Sequence, residues 1–221
     1  LEKARETTGS WVGVFTGYVK IGGREVMLIV KDPRFVGASD KSGAVGEKVT
    51  PAIEDVIARH DREGVEIPIV FVNTASGARQ QDGPFSVDPL NKNNAALSLA
   101  GEREIPFINV DTVYMYGGDS ASTSSYQDAS MLLATKGTRK GFTGPRPTAS
   151  VEGRTLPDLY FSVDFLVKGG FLDGVVESDQ LRALLSLYLN PETEEGVARR
   201  MHPLLNEILD RREKRVIRVR E

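Results

Sequence analysis

Two short apolar runs stand out along the chain, and a glycine-bearing turn follows each of them. The runs are Ile67–Val72 and Ile105–Val110, which are rich in branched side chains and bounded by turn-forming residues. Short, continuous apolar runs of this kind are typical of parallel strands that are buried on both faces. The following turns, Asn73–Gly83 and Tyr116–Ser122, therefore lie at the carboxyl edge of a predicted sheet, where α/β folds usually bind ligands.

The rest of the hydrophobic pattern predicts strands that alternate with helices. Trp11–Ile21 and Arg24–Lys31 are strand-like and are joined by two glycines, which predicts a β-hairpin. The stretch Lys140–Arg146 is predicted to be a glycine-proline loop that cannot continue regular strand pairing. The other predicted elements are a loop at 32–43, a helix at 49–64, helices near 86–103 and 118–129, a strand at 131–135, a helix at 161–167, a short strand before 176, and two amphipathic helices at about 178–189 and 191–212.

Size and composition narrow the class of protein. The chain has 221 residues, of which 40% are hydrophobic, and can bury the core of one domain, with or without appendages. No apolar stretch is long enough to cross a bilayer and the first residues show no signal-peptide pattern, which together predict a cytoplasmic location. Because the sequence has no cysteine and only two histidines, metal sites and thiol chemistry are not expected.

The charge distribution gives little support to a nucleic-acid partner. The net charge of -3 argues against general affinity for nucleic acids. The last residues, Arg211–Glu221, are locally basic, and because their charges are interleaved we expect a solvated helix end or edge strand there.

A series of short motifs falls in the order and spacing of one family. They are Lys3–Gly9, Phe35–Ser39, Val45–Lys48, Ser76–Asp82, Ile105–Ile108, Gly117–Ser122, Gly141–Arg146, Leu156–Pro157, Phe165–Leu166 and Gly170–Asp173. The chain thereby resembles the carboxyltransferase β subunit of bacterial acetyl-CoA carboxylase, a member of the crotonase superfamily. The match runs from about residue 3 to about residue 189, so it is far more specific than any single glycine motif.

The resemblance implies a fold, a reaction and partners. The implied fold is α/β and crotonase-like (ClpP/crotonase), a ββα superhelix that forms one carboxyltransferase-type domain over residues 1–190, followed by a helical tail at 191–221. Family members transfer a carboxyl group from carboxybiotin to an acyl-CoA through an enolate, in fatty acid or polyketide metabolism. The resemblance thus implies biotin on a separate carrier protein and a CoA thioester substrate, while the composition predicts no metal. Because the family's active site lies between a β-type and an α-type domain, it also implies an α-type subunit or a second copy of this chain as partner.

By the same resemblance, the second turn would be catalytic. Backbone N–H groups of Gly117 and Gly118 would stabilise the enolate oxygen, and one such donor is typically worth about 2.7–4 kcal/mol. Glycine suits this role because a Cβ would block the close approach of the backbone and because such turns often need a positive φ. The family normally has an apolar residue next, where this chain has Asp119. An ionised carboxylate there would oppose the enolate, so Asp119 either points away, is protonated, acts as a general base, or is an ordinary helix N-terminal charge.

The first turn would line the acyl-CoA pocket. The residues concerned are Ser76, Gly77 and Ala78. Arg79 would either anchor the turn through Asp82 or contact a phosphate. Further candidates for the pocket are Arg146, which would approach a phosphate or carboxybiotin or pair with a buried carboxylate, and the aromatic residues Phe35, Phe85, Tyr114, Tyr116 and Phe142, which would wall the pocket or belong to the core.

Besides Asp119, three further departures from the family pattern keep other functions open. Bacterial β subunits usually carry a four-cysteine zinc ribbon, for which this sequence has no cysteine. The family's first turn reads Ser-Gly-Gly-Ala-Arg, whereas Ser76 here places a side chain at a usually bare position, and Pro84–Leu90 replaces a methionine-rich helix start. The alternatives are a biotin-independent tailoring enzyme of the crotonase fold (hydrolase, decarboxylase or acyl transfer) with Asp119 as acid or base, and a binding module that retains only the fold.

Overall fold

The computed structural model describes residues 2–40, 46–117, 130–190 and 202–220. In chain order, the helices and strands are α1 Glu2–Thr8, β1 Val14–Ile21, β2 Arg24–Lys31, β3 Ser39–Asp40, α2 Gly46–Glu63, β4 Ile69–Ala75, β5 Gly77–Ala78, α3 Asp88–Glu102, β6 Phe107–Tyr116, β7 Ser130–Thr135, β8 Arg139–Gly141, α4 Pro145–Glu152, α5 Val163–Lys168, β9 Gly174–Val176, α6 Leu181–Leu189 and α7 Pro203–Arg220. Among these helices, none is both long and apolar enough to cross a membrane.

A seven-stranded sheet forms the centre of the protein. Its strand order is β1-β2-β4-β6-β7-β9, and β8 also pairs with β6. The first two strands form the predicted antiparallel hairpin, and all other pairs in the sheet are parallel. Gly22 and Gly23 make the hairpin turn with φ angles of 59° and 93°, which side chains other than glycine rarely adopt. The mixed α/β class expected from the sequence is therefore confirmed.

Both faces of the sheet are buried by helices, because successive residues of a strand point to opposite faces. On one face, Phe71 and Phe107 pack in a core cluster with Ile53 of α2. On the other face, Val70 and Ile108 pack in a second cluster with residues of α6 and α7. Since each fully buried aliphatic or phenyl side chain contributes about 1.5–3 kcal/mol, these continuous apolar runs account for the position of both strands in the centre of the sheet.

Strand β6 is longer than predicted, and its extension changes the neighbouring loop. The sequence predicts that this strand ends at Val110, but it continues to Tyr116. Its register with β4 shifts between the pairs Asn73↔Asp111 and Ala75↔Met115, which is a bulge that includes Val113 at a φ of 57°. Beyond the bulge the strand pairs with β8.

The prediction that Lys140–Arg146 cannot continue regular pairing is therefore wrong in its first residues. Lys140 and Gly141 pair with β6, and the pairing ends before Pro145, which is the first residue of α4. Proline is well tolerated at the start of a helix because the backbone N–H groups of the first turn have no hydrogen-bond acceptor within the helix.

The carboxyl-terminal residues are less solvated than predicted. Leu205 and Ile208 of α7 are fully buried in the same cluster as residues of α6. Arg215 is also buried, so the prediction of a solvated basic end is wrong at this position. The predicted helix near 118–129 lies outside the described residues, and the helix predicted at 191–212 is described only from residue 203.

Candidate functional site

The two turns identified in the sequence meet beyond the carboxyl ends of β4 and β6. Gly77 and Gly117 both have positive φ angles, of 110° and 79°. A Cβ atom placed on Gly117 would lie 3.5 Å from the Cα atom of Gly77, which is an ordinary van der Waals contact and shows that the two turns are neighbours. Glycine suits both positions because other residues rarely adopt a positive φ.

A cavity of about 370 Å³ opens where the turns meet. This volume lies within the range of small-molecule sites. The predicted site residues that line it are Ser76, Gly77, Ala78, Arg79, Tyr116 and Gly117. The stretch after β8 contributes Thr143, Gly144 and Pro147 to the same wall, whereas Arg146 is not among the lining residues. The structure therefore brings together most, but not all, of the predicted substrate-binding residues.

A left-handed turn supports the first of the two glycine turns. Val36, Gly37 and Ala38 have φ angles of 51°, 63° and 61°. This turn presents two carbonyl groups to Ser76: its N–H donates to Ala38 O at 2.8 Å and its hydroxyl donates to Gly37 O at 2.8 Å. The following residue, Ser39, lines the cavity and lies 3.3 Å from Ser76 between the hydroxyl oxygens.

Sequence reasoning did not select Ser39 as a site residue. Its motif, Phe35–Ser39, entered only as part of the family resemblance. The signal that could have found it is the run of small residues after Val36, which is typical of a tight backbone turn that approaches another segment. The pairing of Ser39–Asp40 with Gly77–Ala78 confirms that these two segments meet.

The second turn is fastened by its own backbone. The Gly117 N–H donates to Phe142 O at 3.0 Å. This N–H is therefore engaged within the protein, which corrects the expectation that it is free to face an oxyanion. Gly118 and Asp119 lie outside the described residues, so their catalytic roles stay predictions.

Tyr116 contributes its ring to the cavity wall. The ring stacks on Tyr114 at 6.2 Å between centroids and meets Phe161 edge-on at 6.1 Å. The Tyr116 hydroxyl is buried and, among the described residues, has no hydrogen-bond partner of standard geometry. Burial raises the pKa of the Tyr116 phenol above its ordinary value, and the positive charge of Arg139 opposes this effect. We therefore expect the Tyr116 phenol to remain neutral and the ring to contribute to the shape of the cavity.

The other aromatic candidates do not line the cavity. Phe35 is buried in the core, as its alternative assignment expected. Phe85 and Phe142 are exposed by 69% and 84%, and Tyr114 is also exposed. Large exposed aromatic residues beside a cavity are unusual on the surface of an isolated protein and are common where another protein binds.

Arg79 enters the cavity wall without a complete hydrogen-bonded partner. Its Nε atom lies 3.6 Å from the nearer carboxylate oxygen of Asp82, which is too long for a hydrogen bond. The same Nε is buried, and no described residue offers it an acceptor within hydrogen-bond distance. The Arg79 guanidinium group is thus attracted to the Asp82 carboxylate, and its Nε–H remains able to donate to another acceptor.

A buried ion pair lies directly below the second turn. Lys140 Nζ is 2.8 Å from Asp111 Oδ2, and both side chains are almost fully buried. The Asn109 side-chain amide donates to the other Asp111 oxygen at 2.6 Å. Since Asp111 belongs to β6 and Lys140 to β8, the pair ties together the strands that lead into the cavity. A partial signal for this pair is visible in the sequence, where polar residues interrupt an apolar run, but the signal does not identify the partner.

The described residues contain no group of three or more histidine, cysteine, aspartate or glutamate side chains that could hold a metal ion. The chemistry available in the described wall is that of hydroxyls, backbone amides, the side-chain amides of Gln80 and Gln81, and one arginine.

Comparison with known proteins identifies relatives of this chain. It is 37% identical over 194 residues to the acetyl-CoA carboxylase carboxyl transferase subunit beta of Opitutus terrae, covering 86% of this chain and 64% of that protein. It is 37% identical over 189 residues to the corresponding subunits beta/alpha of Salinispora arenicola, covering 86% of this chain and 32% of that protein. The chain therefore spans less than two thirds of the relatives it matches. No family model matches it.

Solved structures share the fold. A transcarboxylase 12S structure superimposes with a TM-score of 0.69 at 25% identity, over 80% of this chain and 33% of that one. A Pseudomonas malonate decarboxylase hetero-dimer superimposes with a TM-score of 0.68 at 20% identity, over 85% of this chain and 83% of that one. With this crotonase-like fold and with 35–37% identity to named β subunits over 86% of its length, the chain is a homologue of the carboxyltransferase β subunits of acetyl-CoA carboxylase.

Proposed function

We propose that this chain is the β-type half of a carboxyltransferase that transfers a carboxyl group from carboxybiotin to acetyl-CoA or a related acyl-CoA. The observation that carries the proposal is the cavity of about 370 Å³ at the meeting point of two glycine turns. Homology to named carboxyl transferase subunits supports this reaction over a biotin-independent alternative. The cytoplasmic location predicted from the sequence is part of the same proposal.

In the proposed mechanism, the second turn holds the thioester oxygen. The Gly117 N–H is committed to Phe142 O, which fixes the backbone that leads to Gly118. The Gly118 N–H is then the proposed donor to the oxygen of the enolate. A preorganised donor stabilises the charge that develops on this oxygen, and its loss costs about 2.7–4 kcal/mol of transition-state stabilisation. Asp119 would point away from the enolate or be protonated, because an ionised carboxylate beside it would oppose the charge.

The first turn would hold the acyl and pantetheine groups. The Ser76 hydroxyl proton is committed to Gly37 O, so its oxygen can accept from a pantetheine N–H. Arg79 has an unpaired donor in the cavity wall, which suits an anionic group of a substrate. Bound biotin would supply the carboxyl group that is transferred, on a carrier protein that this chain does not contain.

A partner subunit completes the proposed enzyme. Phe142, Phe85 and Leu159 are exposed by 84%, 69% and 61%, and Phe142 directly precedes Thr143, which lines the cavity. The Salinispora arenicola relative carries the names of both the β and the α subunits in one chain. We propose that an α-type subunit, or a second copy of this chain in its place, covers this apolar surface and closes the cavity.

The test is malonyl-CoA formation from acetyl-CoA and carboxybiotin, with and without a candidate α-type subunit. We expect product only when the partner is present. Absence of product under both conditions, together with turnover of an acyl thioester by this chain alone, would favour the tailoring enzyme. In that case Asp119→Asn should abolish the turnover.

A substitution in the second turn locates the reaction. Gly118→Val should reduce turnover at least a hundredfold while the chain remains folded, because a side chain there would displace the donor from the oxyanion. Gly64→Val is the control for placing a branched side chain on a glycine elsewhere, since Gly64 follows α2 and does not line the cavity. Full activity in the Gly118 variant would remove the second turn from the active site.

A further inference from the structure

A second cavity, of about 290 Å³, lies between the end of α5 and the helix α7. It is bounded by the stretch that leads from α5 into β9, including Leu172, and therefore lies at the amino end of that strand. The candidate active site lies instead beyond the carboxyl ends of β4 and β6. The two cavities share no lining residue and are separate sites.

The second cavity is basic. Four of its lining residues are cationic: Lys168 from α5 and Arg211, Lys214 and Arg215 from α7. No acidic side chain is among the described residues that line it. Cations from two separate elements therefore converge on one concave surface, which is the arrangement expected for an anion site.

Arg215 forms the fixed base of this cavity. Its side chain is only 4% exposed and contacts both carboxylate oxygens of Asp173, at 2.8 and 3.0 Å. The same carboxylate accepts from the Leu132 N–H at 2.7 Å, which joins the pair to the sheet. Because a buried pair of this kind is strongly held, we treat Arg215 as part of the wall rather than as an exchangeable ligand.

The other three cations can be redirected to a ligand. Arg211 pairs with Glu207 and Lys214 pairs with Asp210, both one helical turn away and partly exposed. Exposed pairs with this spacing are worth only about 0.3–0.5 kcal/mol, so they resist a competing anion weakly. Lys168 has no ion-pair partner within the part of the chain that the structure describes.

We propose that this cavity binds a phosphorylated small molecule. A guanidinium group together with two ammonium groups matches the charge of a phosphate or diphosphate, which accepts several charge-assisted hydrogen bonds. Val167 and Leu172 give the same cavity an apolar wall for an organic group. The volume is close to the lower end of the range for small-molecule sites, which favours a ligand no larger than a mononucleotide.

The test is isothermal titration calorimetry on the full chain with pyrophosphate, AMP and malonate as probes. We expect saturable one-to-one binding of pyrophosphate and AMP. Malonate should bind at least tenfold more weakly than pyrophosphate, because it offers fewer acceptor oxygens and less charge than pyrophosphate does. The double substitution Lys168→Gln with Arg211→Gln should weaken pyrophosphate binding at least tenfold. Raising the ionic strength should weaken it as well.

Two control substitutions remove lysines that are exposed and paired elsewhere. Lys92→Gln and Lys136→Gln break surface contacts with Glu47 and Glu177 and should leave the affinity unchanged. Equal affinity in the double variant and the wild-type chain would overturn the proposal, as would binding that does not saturate. If malonate binds as tightly as pyrophosphate, the proposal that the ligand is a phosphorylated molecule is overturned.

Acetyl-CoA serves as a competitor that separates the two cavities. Because the second cavity shares no residue with the candidate active site, acetyl-CoA should not displace pyrophosphate. Displacement would show that the phosphates of the acyl-CoA occupy this cavity and would overturn a separate site. The measurement does not depend on turnover, so it can succeed or fail independently of the proposed carboxyltransferase reaction.

Discussion

Two buried ion pairs hold two different parts of this protein. The Asp111–Lys140 pair lies within the sheet, between β6 and β8, below the candidate active site. The Asp173–Arg215 pair joins the start of β9 to the helix α7. In both pairs the carboxylate is fully buried and the cation is about 5% exposed or less. The same chemistry therefore joins the strands below the candidate active site in one region and attaches a helix in the other.

The two pairs differ in what surrounds the cation. Lys140 is enclosed by the strands that it joins, whereas Arg215 lines the basic cavity beside α7. A buried pair contributes little net stability, but removal of one partner leaves an uncompensated charge. The comparison teaches that the cost of breaking a pair depends on whether the remaining charge can reach water. Arg215 can do so by a small movement into its cavity, and Lys140 cannot.

The largest effect is expected for Asp111→Ala. The substitution leaves the Lys140 ammonium buried without its carboxylate and removes the acceptor of the Asn109 amide. We expect the free energy of unfolding to fall by about 3–5 kcal/mol, measured by urea denaturation. The double substitution Asp111→Leu with Lys140→Met removes both charges and should recover most of this loss. Equal losses in the single and the double variant would show that the charge is not the cause.

A smaller effect is expected for Asp173→Ala. The Leu132 N–H loses its acceptor, but the freed Arg215 can turn towards the cavity. We expect a loss of about 1–3 kcal/mol, the cost of an unsatisfied buried polar group, together with faster trypsin cleavage within α7. Asp210→Ala is the control, since its contact with Lys214 is exposed and should be worth less than 1 kcal/mol. A loss as large as that of Asp111→Ala would contradict the role assigned to the cavity.

The difference between these regions also shows what the sequence could predict. The apolar runs Ile67–Val72 and Ile105–Val110 identified the central strands because continuous hydrophobicity is a local property. The turns were predictable for the same reason, because turn-forming residues follow each apolar run directly. The seven-stranded order, in contrast, depends on which strands pair, and that information is spread over the whole chain.

The ion pairs could not be predicted because their partners are distant in sequence. Asp173 and Arg215 are 42 residues apart, and Asp111 and Lys140 are 29 apart. From the sequence alone, a buried carboxylate among polar residues cannot be distinguished from a surface carboxylate until its ion-pair partner is known. This explains why Arg215 was predicted to be solvated and why Lys140 was assigned to a loop.

A third substitution tests an uncharged contact at the candidate active site, for comparison with the two buried ion pairs. Ser76→Ala removes the hydroxyl that donates to Gly37 O and should lower the free energy of unfolding by about 0.5–1.5 kcal/mol. Because Ser76 lines the cavity, we also expect a higher KM for the acyl-CoA. Ser86→Ala is a matched control, since this hydroxyl donates to Gly83 O at the same distance of 2.8 Å but does not line the cavity. An equal change of KM in both variants would remove Ser76 from the substrate site.

The smallest effect is expected at an ionic cluster near the surface, on the edge strand β1. The Tyr18 hydroxyl donates to Asp55 at 2.6 Å, and Arg59 lies over its ring at 4.5 Å. Burial, followed by the hydrogen bond to Asp55, raises the pKa of Tyr18 from its ordinary value of 10 to about 12. A raised pKa favours the protonated phenol in the folded state, so this contribution to stability is complete below pH 10 and is lost as the pH rises towards 12.

Urea denaturation of Tyr18→Phe should therefore show a flatter decline of stability between pH 10 and 12 than the wild-type chain. Tyr160→Phe, at a position that is 52% exposed, should leave the decline unchanged. If Tyr18→Phe also leaves the decline of stability unchanged, Tyr18 on the edge strand β1 is too shallowly buried for burial to affect its ionisation. Access to water would then govern the energetics only of the enclosed pairs Asp111–Lys140 and Asp173–Arg215.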